Sequence, residues 1–478
     1  MQILPSDPRT GVALAPFRGI RYARNRVSGI ANVISPPYDV ISGGNLEHLR
    51  AADPHNVVRL ILPGESADAP RAAACLLREW LSDGVLIQDR MPALYLYEQA
   101  ADQPDGEAWR QRGIIGLVRL GAPDTAGILP HENVMPGPVA NRRELMAATR
   151  ANLEPIFLVY DGGERMGEGG VTLTATEVID QVADERTPLL SIGTEDGVTH
   201  RLWRLDDPAE CEAITADLAT RRALIADGHH RYAAYLGLQA ENRATGAGEG
   251  PWDYGLALLV DSVACPPRLG AIHRVLPGMA PDRAAELVKA AFTVETLPAG
   301  TGLAQACARL AAAGREGTAF LLAGQCGYRL LSHPDPVQVS ASMPPETSPQ
   351  WQALDASVLQ QLLMGRLWGI TDNDQDVLIY HDAAEAAAAV GARGTAAEAA
   401  AAVGAAGSGP VKGASGAGGT AVILNPVPFE AVREIAEHGE RVPRKSTSFG
   451  PKPRTGLVLR TFGSREAGPL CPAEQSAR

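Results

Sequence analysis

Lysine is nearly absent from this chain: Lys289, Lys412, Lys445 and Lys452 are all there are, so almost every positive charge is arginine, in a background rich in Ala and Gly. That bias reads as genomic base composition. It makes a single arginine a weak signal and two lysines close together near the C-terminus a stronger one. Cationic charge is short altogether, with a formal net charge of -12 and a pI near 5.4. A broad duplex-binding or anionic-membrane surface needs an excess of cations and is excluded. No helix-turn-helix signature is present either, so no nucleic-acid partner is expected. Small anions remain candidates wherever a few cations converge.

Long apolar runs are also missing. No stretch approaches the roughly 18 apolar residues of a membrane span, and the start, MQILPSDPRTG, lacks the basic and apolar regions of a signal peptide. A cytoplasmic protein without a membrane partner is expected. Cysteine occurs six times, at Cys75, Cys211, Cys265, Cys307, Cys326 and Cys471, always singly and never as a CxxC pair. No zinc, haem or iron–sulfur site and no disulfide framework is therefore predicted, and the thiols read as small apolar residues.

What is present is enough to build cores: 478 residues, 45% hydrophobic and 21% charged, which argues for two or three domains at roughly 100–200 residues each. Strand-like runs at Ala93–Tyr97, Gly113–Leu120, Ile156–Tyr160, Arg222–Ala226 and Tyr254–Val260 alternate with segments of helical period. The helical segments are Ala69–Ser82, Arg142–Leu153, Pro208–Thr220, Arg231–Arg243, Pro281–Ala291, Leu303–Ala313 and Trp351–Leu367. The mixture predicts an α/β or α+β protein with mixed sheets and flanking helices. A main region is expected over 12–340, with a Pro- and Ser-rich linker near Ser332–Gln350. A smaller C-terminal unit over 345–462 follows. An Ala/Gly-rich insertion at 383–420 would interrupt that unit, its first half able to form helix and its Gly-rich second half a flexible loop. The tail 463–478 is expected to be disordered.

The strongest chemical signal is Ala223-Leu224-Ile225-Ala226-Asp227-Gly228-His229-His230-Arg231-Tyr232, an apolar strand that breaks at Asp-Gly and passes into a helical pattern. A Gly turn at a helix N-terminus offers unpaired N–H groups and the positive end of the dipole to an anion, and Arg231 adds a planar cationic fork. Asp227 can cap the helix or accept a proton, and His229 and His230 can titrate near neutrality or bind metal. The plain alternative is a capped helix with surface histidines. Four polar groups at one junction favour a phosphate or nucleotide site.

Two further clusters stand out. His131 and Glu132 lie in LPHEN ahead of Pro136-Gly137-Pro138 and an arginine-bearing helix; Glu132 can hold a divalent ion or act as a base, and His131 can donate to a phosphoryl oxygen. Alone, a His-Glu pair reads as loop. Lys445, Ser446, Thr447 and Lys452 lie in PRKSTSFGPK, a loop able to present several donors to an anion but lacking the spacing of a Walker loop. Near the N-terminus, Ser35-Pro36-Pro37-Tyr38-Asp39 combines a rigid diproline with Asp39.

Taken in order, the blocks PFRGIRY (16–22), SPPYDVIS (35–42), NVVRLILP (56–63), ILPHEN (128–133), ATRANLEPIFLVY (148–160), ADGHHRYAA (226–234), LDASVL (354–359) and KSTSFGPK (445–452) resemble the bacterial and archaeal proteins of domain-of-unknown-function family 1015. Ser448 stands where that family usually has an aromatic, and Gly270-Ala271-Ile272 where it has Pro-Thr. More distantly, Asp227–Arg231 is similar to the phosphate-binding turn of the ParB/sulfiredoxin superfamily, which includes free serine kinases. That resemblance implies a ParB/sulfiredoxin-like phosphate-binding core. Family 1015 proteins also often accompany serine-biosynthesis genes, which points to serine.

The expectation is phosphoryl transfer on a small hydroxylated or phosphorylated metabolite, with serine or phosphoserine as first guess and nucleotide or phosphate at the Asp227–Arg231 turn. Asp227 would serve as base or metal ligand, His229 and His230 in phosphate contact or proton transfer, and Gly228 and Arg231 in binding the anion. Lys445, Ser446, Thr447 and Lys452 would form the far wall, with His131 beside the phosphate and Glu132 and Asp39 as secondary acids. ATP or ADP with Mg²⁺ is the cofactor such chemistry calls for. A small-molecule phosphatase and a non-catalytic nucleotide sensor are the alternatives.

Overall fold

The structure, a computed structural model, describes residues 11–41, 43–102, 108–121, 127–163, 173–325, 327–373, 376–391 and 419–463. The chain divides into two compact units, Met1–Pro267 with Pro451–Arg478, and Arg268–Gly450. The linker expected near 340 therefore falls inside the second unit, where Pro336–Ser342 is a helix. The last stretch of chain returns to the first.

The first unit is built on a nine-stranded mixed sheet. Across it the strands run Ile128–Leu129, Ala223–Asp227, Ile156–Tyr160, Tyr254–Asp261, Ala108–Arg119, Leu94–Asp102, Thr199–Leu205 and Leu190–Gly193, with Leu14–Ala15 added against Ala108–Arg119. Pairing is parallel between Ile128–Leu129 and Ala223–Asp227 and between Ile156–Tyr160 and Tyr254–Asp261, and antiparallel elsewhere. IFLVY at 156–160 is buried at every position, as a strand covered on both faces must be. Helices Pro136–Thr149 and His229–Ala244 pack together beside it, and the core includes Ile156, Leu158, Ile225, Tyr232, Tyr235 and Leu259. A second core gathers Ile20, Val57, Leu60, Leu77 and Trp80 around the helix Ala69–Ser82.

The second unit carries a six-stranded antiparallel sheet in the order Thr293–Thr296, Gly327–Ser332, Phe320–Gly324, Thr420–Leu424, His273–Leu276, Leu378–Tyr380. Ala383–Gly391, the start of the Ala/Gly-rich segment, is a helix with Ala386 and Val390 buried in this unit's core, and Thr420 opens a central strand. Residues 392–418 and 464–478 lie outside the described residues. The mixed α/β class is as the sequence predicts. No helix among the described residues is long and apolar enough to cross a membrane.

In each unit burial makes a histidine acid-sensitive, His200 in the first and His273 in the second. His200 sits between Tyr97 Oη at 2.8 Å and Thr194 Oγ1 at 3.0 Å, and burial, reinforced by Arg454, pushes it down to about 4. His273 accepts the Leu424 N–H at 3.2 Å and is likewise pushed down to about 4 by burial. A histidine held neutral in the fold contributes stability above its unfolded value near 6.5, and that stability is lost as pH falls toward 4. The loss is about 3 kcal/mol per site across that window. Denaturant titrations of the wild type at pH 7 and 4.5 should show it for the first unit, and His200→Gln should flatten the dependence. Equal pH dependence in wild type and variant would refute the assignment.

Candidate functional site

The site begins where the strand Ala223–Asp227 turns into the helix His229–Ala244. Along the antiparallel pairing with Ile156–Tyr160 the register runs Ile225↔Leu158 and then Asp227↔Phe157, so Ala226 is an extra residue, a bulge. Bulges re-aim side chains at sites. Gly228 then takes φ +96° and ψ +29°, a left-handed conformation that costs an L side chain. A Cβ there would lie 3.0 Å from Ile156 Cγ2 and 3.2 Å from Arg231 Cζ and Nε. The torsion thus favours glycine, and the close approach of Ile156 and Arg231 adds to that; the helix opens with no side-chain cap on its first turn.

Asp227, only 7% exposed, receives a cation on each oxygen. Arg231 Nη2 donates to Oδ2, and Lys452 Nζ lies 2.5 Å from Oδ1. Burial alone would raise the Asp227 carboxyl; Lys452 and Arg231 outweigh it and hold it below the ordinary carboxylate range. Burial opposes the charge on Lys452, but Asp227 and Asp39 raise it well above the ordinary lysine value. The Arg231 guanidinium is 1% exposed, donates from Nη1 to the Pro155 carbonyl, and leaves Nε without a partner. In this conformation Arg231 neutralises Asp227 directly and has no surface to offer a ligand.

Lys452 reaches this point because the returning segment is stitched into the first unit. Ser35 and Thr455 exchange both N–H···O bonds, at 3.1 and 2.8 Å, and Ile20 pairs with Leu459. Two buried glutamines facing each other across adjacent strands fix the carbonyl before it and its own: Gln111 Nε2 donates to Pro451 O and Gln99 Nε2 to Lys452 O, both at 3.1 Å. The Ser35–Thr455 pairing also brings the diproline segment alongside, so that Asp39 Oδ2 is 3.3 Å from Lys452 Nζ.

Behind this pair lies a layer the sequence reading did not single out. Glu154, fully buried, accepts the Tyr38 N–H at 3.0 Å and the Thr455 hydroxyl at 3.3 Å; burial raises its carboxyl even against Arg231 and Arg142. The Arg142 guanidinium stacks over the Tyr38 ring at 4.2 Å from its centroid and donates to Ile61 O at 2.7 Å. Tyr38 is pushed up to about 12, first by burial. The only sequence signal for Glu154 is its place in LEPIFLVY: an acid set directly before Pro155 and a fully apolar strand has no solvent to face.

His131 and Glu132 follow the short strand Ile128–Leu129, which pairs in parallel with Ala223–Asp227, so the two sequence clusters do meet. The His131 N–H donates to His229 Nε2 at 3.2 Å and the Met135 N–H to His230 Nε2 at 3.1 Å. His229 Nδ1 lies 3.9 Å from Glu132 Oε2. Lys445, Ser446 and Thr447 belong to the second unit. There Lys445 takes a left-handed φ of +53°, Ser446 is buried with its hydroxyl donating to Pro443 O at 2.6 Å, and Arg274 Nη2 donates to the carbonyls of Arg444 and Lys445, both at 2.9 Å.

No group of three potential metal ligands occurs among the described residues. Mg²⁺ on a nucleotide needs only one or two carboxylates. Asp227 has both oxygens occupied by cations, which leaves the part-exposed Glu132 and Asp39 as the carboxylates suited to it.

A search of curated protein sequences finds no match. Among solved structures the chain is distantly similar to a free serine kinase variant in complex with AMP, at 13% identity, covering 68% of this chain and 84% of that one with a TM-score of 0.32. It is similar too to C-terminally truncated SbnI from Staphylococcus aureus, at 11% identity, 70% and 82% coverage and a TM-score of 0.30. A conserved hypothetical protein from Pyrococcus furiosus gives 14%, 68%, 87% and 0.29. The family described as "Protein of unknown function (DUF1015)" matches residues 14–357, the greater part of the chain, and the chain belongs to that family.

Proposed function

We propose that the first unit binds the phosphates of a nucleotide at the Asp227–Arg231 turn and transfers a phosphoryl group to or from a small hydroxylated metabolite, serine or phosphoserine being the first to test. The observation that carries this reading is the ammonium of Lys452, brought from a distant part of the chain onto Asp227 at the mouth of a left-handed glycine turn. Phosphoryl transfer asks for positioned charge more than covalent chemistry. Lys452, still about a quarter exposed, is the cation that meets the phosphate, at the positive end of the helix His229–Ala244. Asp227, held ionised by its two cations, orients Lys452; its lowered basicity argues against the role of general base. Glu132, part-exposed and facing His229, is the better acid to activate a hydroxyl or, with Asp39, to hold Mg²⁺. The Glu154–Arg142–Tyr38 layer supports the turn from behind.

The test is direct: purified protein with Mg²⁺ and either ATP or ADP plus serine, and separately with phosphoserine, followed for product. Turnover in either direction supports the reading, and phosphoserine hydrolysis without nucleotide assigns a phosphatase. Saturable ADP binding with no product in any arm overturns it in favour of a sensor.

A further inference from the structure

We infer that His229 and His230 are positioning residues for Glu132, holding its main chain through their Nε2 atoms. The inference rests on the reading that Glu132 works at the site just described. Neighbouring residues on a helix point roughly 100° apart, so the two rings at the first turn of His229–Ala244 reach different ends of one short arch. The rings receive the N–H groups of His131 and Met135, at 3.2 and 3.1 Å. Glu132 lies between these two anchors. The His131 donor would be costly to leave, because the residue is fully buried, whereas Met135, the exposed N-cap of the helix Pro136–Thr149, gains a second anchor for the arch.

A neutral imidazole that accepts at Nε2 carries its proton on Nδ1. His229 Nδ1 lies 3.9 Å from Glu132 Oε2, an electrostatic neighbour rather than a hydrogen-bond partner. The His131 ring packs edge-on against His229, with centroids 4.5 Å apart and planes at 86°, which holds the ring in that orientation. The same imidazole therefore fixes the backbone of the arch and stands beside its carboxylate. The chain at Glu132 is tethered at both sides, and the paired histidines are explained without phosphate contact.

The experiment compares His229→Ala, His230→Ala and the two Gln variants, whose side-chain oxygens accept at a similar reach, after thermal unfolding has shown each to be folded. Amide hydrogen exchange at His131 and Met135, ADP affinity by calorimetry and kcat for phosphoryl transfer are measured on each. In the alanine variants exchange at the released amide should quicken by up to about tenfold, the worth of one hydrogen bond. Turnover should fall more than ADP affinity, and glutamine should restore both. Unchanged exchange in both alanine variants overturns the inference. So does lost ADP binding with the arch still protected, because the imidazoles would then be touching phosphate. Absence of turnover in the wild type defeats the phosphoryl-transfer reading alone, while the exchange measurement still decides whether the histidines hold the arch.

Discussion

Arg231→Met is expected to destabilise the first unit by about 3–5 kcal/mol, the usual cost of breaking one side of a buried ion pair. Among the described residues Arg231 is the largest fully buried side chain, and its guanidinium serves two acceptors at once, Asp227 Oδ2 and Pro155 O. Methionine fills similar volume but offers no donor. Asp227 would then keep one cation in place of two, and the carbonyl ahead of the strand Ile156–Tyr160 would be left unpaired in the interior. Asp227→Asn combined with Arg231→Met should recover part of the loss, because the buried carboxylate that lost one of its two cations goes with it. Chemical denaturation of the three variants at neutral pH measures this. A loss below about 1 kcal/mol for Arg231→Met would mean that the pair is solvated in solution and that the turn does not depend on it.

Lys452→Met is expected to have the largest effect on function, lowering turnover by about 10²–10³-fold, the range seen when one charge-stabilising donor is removed from a site. ADP affinity should fall with it. The lysine is the cation of this cluster with exposed surface, and among the charges near Asp227 it acts most strongly to keep that carboxyl ionised. Removing it should let the Asp227 carboxyl rise. Stability from Asp227, present above the unfolded carboxyl value and lost as pH falls, should then begin to disappear at a higher pH. Lys452→Arg keeps the charge but replaces a compact ammonium with a planar fork, so it should restore the Asp227 titration better than it restores turnover. Measuring kcat, ADP affinity and the acid-unfolding midpoint on both variants separates the roles. If Lys452→Met shifts the acid midpoint while ADP affinity and turnover stay at wild-type levels, the lysine is a structural partner of Asp227 and the phosphate contact lies elsewhere.

Legibility of the site depended on how local its signals were. Asp227-Gly228 between an apolar run and a helical period is a turn that can be read from neighbouring residues alone, because the need for a left-handed residue arises within a few positions of the chain. His131-Glu132 was readable as a polar cluster, but its proximity to His229 is a consequence of parallel strand pairing, which sequence does not specify locally. Arg231 was readable as a cation and misleading as an exposed one. Its direction is set by the bulge at Ala226 and by the open carbonyl of Pro155, both of which appear only once the strand Ile156–Tyr160 lies alongside. Gln99 and Gln111 carried no local mark, and Glu154 only its place before Pro155 and an apolar strand; each acquires its role from a partner far along the chain.

The domain boundary follows the same logic. Composition marks a Pro- and Ser-rich stretch near 340, yet Pro336–Ser342 within it is a helix of the second unit, and the chain leaves and re-enters the first unit at 267 and 451, at the short proline turns Pro266-Pro267 and Gly450-Pro451. By itself, then, the sequence determined the α/β class, the main strands and helices, the family and the glycine turn, all of which follow from periodicity, steric demand or ordered motifs within short windows. Tertiary structure alone decided that Lys452 closes on Asp227, that Arg231 turns inward and that the histidine pair holds the Glu132 arch. Those choices depend on which distant backbone carbonyls and N–H groups are left to satisfy once the sheet has formed, and no local pattern encodes that.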